Sequence, residues 1–90
     1  MLPRIANARA LVGWRLALRF TDGIRGVVDL NRVVHSRDGL FTALRDPTVF
    51  AQVAVDHEAG TVVWPNGLDL DPDVLYAAAQ GGAEALSEFA

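Results

Sequence analysis

Positions 14 to 30, WRLALRFTDGIRGVVDL, alternate apolar and polar side chains with period two and break only at Thr21-Asp22-Gly23. Period two is the repeat of a β-strand, and a glycine-bearing break between two such runs predicts a hairpin. Two registers compete. A two-residue turn at Asp22-Gly23 sets Phe20 opposite Arg25 and Leu16 opposite Asp29, which mixes charge into the apolar face. A three-residue loop of Thr21, Asp22 and Gly23, with Gly23 left-handed in a bulge, sets Phe20 by Ile24, Leu18 by Gly26, Leu16 by Val28 and Trp14 by Leu30. The second register keeps one face apolar and is the one expected. It turns Arg15, Arg19 and Arg25 outward, with Arg15 opposite Asp29 and Arg19 opposite Arg25, the latter an unfavourable pairing of like charges.

The flanks extend the pattern. RIANARALV, separated from the hairpin by Gly13, alternates in the same way, so a three-stranded meander beginning near Ile5 is expected. Asp29 to Ser36 suits a short helical turn, followed by a loop, HSRDGLF. Asp46-Pro47 predicts a helix start of one turn, because the aspartate caps free N–H groups and proline's missing donor is not needed at the first position. FAQVAVD and TVVW, joined by HEAG with Gly60 at its end, predict a second hairpin. Trp64 closes that run ahead of Pro65 and is assigned to the core. Asn66 and Gly67 suit the later positions of a turn led by Pro65, where Asn tolerates the left-handed conformation. Asp71-Pro72 starts a second helix through VLYAAAQ, which Gly81 and Gly82 stop; AEALSEFA then forms a further turn or frays.

The expected fold is therefore α+β, a small single domain over residues 1–90: an N-terminal antiparallel meander, a short helical turn, a second β-hairpin and a C-terminal helix. A chain of this size buries roughly 60% of the surface its unfolded form exposes, enough for one core. With 51% hydrophobic and 21% charged residues it lies far from disordered compositions. Arg or Asn interrupts every apolar run near the N-terminus, so neither a signal peptide nor a membrane span is expected, and the chain is placed in the cytoplasm. The absence of cysteine excludes disulfides and thiolate metal sites.

Charge is polarised along the chain. The chain has no lysine, and all eight arginines lie before residue 46, where they meet three aspartates; residues 46 to 90 hold eight carboxylates and no arginine. The two halves are expected to fold onto each other and neutralise one another. The alternative is a basic face for an acidic partner, or an isologous dimer pairing unlike halves.

No catalytic constellation stands out. Asp69, Asp71 and Asp73 imitate the first, third and fifth ligands of a calcium loop, but Val74 stands where that loop needs glycine and Gln80 where it needs glutamate. Helix capping is the expected role. His35 and His57 have no metal-ligand spacing and are placed in surface loops, Ser36 lacks an elbow motif, and no phosphate-binding glycine loop occurs. No cofactor, metal or catalytic residue is expected. Arg15, Arg19 and Arg25 give nucleic-acid binding a case through a basic β-ribbon, opposed by a pI near 5.1 and by Trp14 and Phe20 pointing to the core.

Taken together, LRFTDGIRGVVDL, LRDPTVFAQVAVD and GTVVWPNGLDLDPDVLY resemble the signature blocks of the bacterial domain-of-unknown-function family 2442, across most of residues 5 to 76, with residues 77–90 a helical tail. The shared pattern is F-[ST]-D-G, V-D-L, R-D-P and G-T-x-x-W-P-N-G-x-D in that order. It rests on Asp22, Gly23, Asp46, Pro47, Gly60, Trp64, Pro65, Asn66 and Gly67, with Asp71 and Pro72 following. The resemblance implies an α+β fold without established catalytic residues. It also implies a gene often lying beside that of another small protein, in pairs regarded as toxin and antitoxin. Some members carry an added helix-turn-helix domain, for which too little sequence follows residue 76 here. The expected function is a non-enzymatic protein-interaction module, the antitoxin-like member of such a pair. The alternative is a nucleic-acid-binding or regulatory accessory protein using the first hairpin's arginines; the expected partner is a small protein encoded by an adjacent gene, with a homodimer as the other option.

Overall fold

The structure, a computed structural model, describes residues 3–81. Strands β1 (Ile5–Leu11), β2 (Arg15–Phe20) and β3 (Arg25–Asp29) form an antiparallel sheet in chain order. Helix α1 (Asn31–Ser36), a 3-10 helix (Gly39–Arg45) and α2 (Pro47–Phe50) follow. The hairpin of β4 (Ala54–Asp56) and β5 (Thr61–Val63) then leads to α3 (Pro72–Ala79). This is the expected α+β architecture. The stop at Gly82 and the turn in AEALSEFA lie outside the described residues.

The first hairpin takes the three-residue register, pairing Leu16 with Val28, Leu18 with Gly26, Arg15 with Asp29 and Arg19 with Arg25. Gly23 is left-handed at φ 91° and Asp22 Oδ1 accepts from the Ile24 N–H at 3.0 Å, so the loop's own chemistry fixes the pairing. In β1 a register shift between Ile5 and Asn7 reverses the alternation. Ile5 therefore faces the core opposite Phe20, and Ala8 and Ala10 do so beyond the shift, while Asn7 and Arg9 face outward.

Trp14 departs from its expected place as an inward strand residue. It sits in the β1–β2 turn with φ 57°, half-buried, although the Leu30 N–H still donates to its carbonyl at 2.8 Å. The left-handed region costs a side-chain-bearing residue about 1–2 kcal/mol. Its indole N–H donates to the Leu44 carbonyl at 2.7 Å, and its ring meets His35 edge-on at 4.5 Å between centroids, which holds the conformation.

The inner sheet face meets the helices and second hairpin in one core that includes Leu16, Phe20, Val28, Val34, Leu44, Phe50, Val62, Trp64 and Leu75. Burying each large apolar side chain is worth about 1.5–3 kcal/mol before chain entropy is set against it. Trp64 is only 2% exposed and its indole N–H donates to the Phe50 carbonyl at 3.0 Å, tying α2 to the second hairpin.

Two junctions join distant segments. The Ile5 N–H donates to the Gly60 carbonyl at 2.9 Å, and the Arg4 guanidinium donates to the carbonyls of His57 at 3.0 Å and Glu58 at 2.5 Å. Gly60 is left-handed at φ 75°, and a Cβ there would crowd the Arg4 side chain. In the turn after Trp64, Gly67 alone is left-handed, at φ 90°. Asn66 is not, although it and Gly67 hold the expected later positions of the turn led by Pro65, which the Gly67 N–H closes by donating to the Trp64 carbonyl at 2.9 Å. The Asn66 side-chain oxygen accepts from the Leu68 N–H at 3.1 Å, and its amide donates to the Leu40 carbonyl at 2.9 Å.

Leu40 belongs to the 3-10 helix, where the sequence suggested loop as far as Phe41. The carbonyls of Leu40 and Leu44 are bonded by Asn66 and Trp14, partners 26 and 30 residues away that local propensity does not contain. The second strand region is likewise shorter than FAQVAVD, since α2 keeps Phe50 and β4 begins at Ala54. Among the described residues no helix is long and apolar enough to cross a membrane.

Candidate interaction surface on the outer face of the sheet

With Leu16, Leu18 and Val28 turned inward, strand alternation sends the intervening residues outward in three cross-strand rows. Asn7, Arg19 and Arg25 form the first; Arg9, Ala17 and Val27 the second; Leu11, Arg15 and Asp29 the third. Arg9, Arg15, Arg19 and Arg25 are all exposed, and Val27 is 51% exposed. Ala17, the smallest of the central-strand residues, floors a shallow depression of about 490 Å³ rimmed by Arg9, Arg19 and Arg25. The face thus has a small apolar centre and a guanidinium border.

The neutralisation of one half of the chain by the other is not what the described residues show. Their one ion pair, Arg45 with Asp38 at 3.7 Å, lies within the arginine-rich half. Three carboxylates of the second half are occupied locally. Asp46 Oδ1 accepts from Thr48 N–H, Asp56 Oδ1 from Glu58 and Ala59, and Asp71 Oδ1 from Asp73. Arginines are occupied by carbonyls in the same way: Arg45 serves Val34 and Arg37, and Arg4 serves the second hairpin. Even Arg15 and Asp29, opposite one another, turn away, Arg15 Nε to the Val12 carbonyl at 3.0 Å and Asp29 Oδ1 to the Asn31 N–H at 2.9 Å.

The remaining candidates separate in space. Asp46-Pro47 and Asp71-Pro72 start α2 and α3, with each aspartate side chain bonded to the backbone two residues on. Among the described residues no three His, Asp or Glu side chains converge on a metal position. His35 is exposed but lies in the last turn of α1, not in a loop as expected, where its Nδ1 is 2.8 Å from the Asn31 carbonyl one helical turn back; His57 is exposed in the β4–β5 turn. Asp22 and Tyr76 do meet, the phenol donating to Asp22 Oδ2 at 2.5 Å. That bond, followed by the one from the Ile24 N–H, holds the Asp22 carboxyl below its ordinary pKa, and the same bond to Asp22 raises the Tyr76 phenol.

Arg9 and Ala17 belong to this surface although the first hairpin's arginines alone suggested it. The signal for Arg9 is the alternation of IANARAL, whose phase becomes readable only once the register shift after Ile5 is known.

Residues 5–81 match the family model described as "Protein of unknown function (DUF2442)". No curated protein matches the chain. Among solved structures it is similar to the crystal structure of a "Putative DNA Binding Protein" from Nitrosomonas europaea, with 24% identity and a TM-score of 0.75. The match covers 93% of this chain and 53% of the other, so the chain spans about half the length of that protein and shares its fold over that half.

Proposed function

The chain belongs to the DUF2442 family, and on that footing we propose that it is a non-enzymatic interaction module, the antitoxin-like member of a two-protein pair, which grips an acidic protein partner through the outer face of its sheet. The observation that carries this is the cluster of Arg9, Arg15, Arg19 and Arg25 around Ala17 and Val27 on an exposed strand face. Arginine presents a planar fork that bonds carboxylates in pairs, and it is enriched in protein interfaces where lysine is depleted. Arg19 directly opposite Arg25 costs stability in the free protein, a cost that an acidic partner removes. The partner is a small protein encoded by the adjacent gene, and the two meet in the cytoplasm.

Co-expression with the adjacent gene's product tests this. Co-purification that is lost in the Arg9→Glu/Arg19→Glu/Arg25→Glu variant, and relief of any toxicity of that product, is the expected result. A chain that never associates with it removes the proposal.

A second reading, nucleic-acid binding by the same face, draws on the printed description of the solved relative and on the arginine-bearing β-ribbon. The outward rows hold no aromatic side chain for base stacking. Filter binding at low salt, abolished in Arg15→Ala/Arg19→Ala/Arg25→Ala, is the outcome that favours it.

A further inference from the structure

We propose that the groove between the β1–β2 turn and the start of α2 receives a bulky apolar side chain, Leu or Phe carried beside a carboxylate, from the acidic protein partner. This rests on the interaction-module reading and deepens it by naming an anchor. The groove holds about 460 Å³ and its lining includes Ala10, Leu11, Val12, Trp14, Pro47 and Phe50, a volume within the range of sites that enclose small ligands. Those side chains are hydrocarbon except for the Trp14 indole, whose N–H is already given to Leu44. The groove rewards apolar burial and offers no side-chain hydrogen bond.

Two further observations mark the groove as more than a packing remnant. Val12 at its lip is 90% exposed, so its apolar surface stands in water beside the groove, where an apolar side chain seated there would cover it. Trp14 forms the wall in a left-handed conformation that tryptophan rarely takes, held by its bonds to Leu44 and Leu30. Backbone outliers that the surroundings over-determine cluster at binding sites.

Charge sets what flanks the anchor. Arg15 Nε is bonded to the Val12 carbonyl, which brings that guanidinium stem to the groove's lip. Leu11 both lines the groove and pairs with Arg15 in the third outward row, so groove and arginine face are continuous. The nearby Asp29 and Asp46 each have a carboxylate oxygen committed to a backbone N–H, of Asn31 and Thr48. An apolar centre with a polar rim is the usual build of a protein interface.

The test is a heteronuclear NMR titration of the ¹⁵N-labelled chain with two peptides, acetyl-Glu-Phe-Leu-Glu-amide and acetyl-Lys-Phe-Leu-Lys-amide. Saturable shifts concentrated on Gly13, the Trp14 indole and Ala51, stronger for the acidic peptide, are expected. Ala51→Glu, at an exposed position lining the groove, places a charge there and lowers affinity by about tenfold while leaving the melting temperature unchanged. No saturable shift at millimolar peptide, equal binding of the two peptides, or undiminished binding by Ala51→Glu overturns the proposal. Partner capture with no peptide binding defeats the groove alone; peptide binding with no partner capture supports the groove and defeats the proposed partner.

Discussion

A Cβ added to Gly26 would lie 2.3 Å from the carbonyl oxygen of Ala79, so the C-terminal end of α3 rests directly on the backbone of β3. Gly26 is a strand residue opposite Leu18, on the inner face. The obstacle is helix backbone and cannot rotate aside as a flexible side chain would. Gly26→Ala is expected to cost about 1–3 kcal/mol by overpacking, read as a lower urea midpoint with an unchanged slope. An unaltered midpoint would show that α3 is free to move off the sheet.

Trp64 fills the core beside Phe50, with ring centroids 5.7 Å apart, and satisfies that residue's carbonyl. Trp64→Ala removes both the ring and the hydrogen bond and is expected to destabilise by roughly 3–5 kcal/mol. For a domain of this size each kcal/mol lowers Tm by about 4–8 °C. Calorimetry checks this, and a barely shifted transition would move the ring out of the core.

Reversing charge on the sheet separates stability from binding. Arg19→Glu replaces the repulsive pairing with Arg25 by an attractive one, so the free protein gains about 0.2–1 kcal/mol. The gain shrinks at high salt because the site is exposed. Partner capture weakens in the same variant. Equal loss of stability and of binding would mark Arg19 as a structural residue instead.

The Asp22–Tyr76 bond predicts a plateau of stability with two shoulders. Asp22 has its folded pKa lowered from 3.8, so its contribution is present above that value and is lost as pH falls through the lower folded pKa. Tyr76 has its folded pKa raised from 10.0, so its contribution is present below that value and is lost as pH rises through the higher one. Urea midpoints measured across pH should flatten at the acid shoulder in Asp22→Asn and at the alkaline shoulder in Tyr76→Phe. Unchanged pH profiles in both variants would show that the bond carries no stability.

The parts legible in the sequence are those whose determinants sit within a few residues of one another. Thr21-Asp22-Gly23 sets its own hairpin register through the Asp22 side chain and a left-handed glycine. Asp46-Pro47 and Asp71-Pro72 cap their helices through bonds two residues long. Alternation in RLALRF then assigns Arg15 and Arg19 to the outer face without knowledge of any distant contact.

Long-range partners decided the rest. The 3-10 form of Gly39–Arg45 accompanies carbonyl bonds to Asn66 and Trp14 that no local window contains. Arg9 joined the basic face only through the register shift that its strand makes against β2. The sequence by itself determined the strands, turns and helix starts, because steric preference, alternation and capping act locally. Only the tertiary structure decided where the other arginines go: carbonyls of other segments, which need donors once folding removes water, claimed Arg4 and Arg45, and the register shift in β1 added Arg9 to the exposed sheet face.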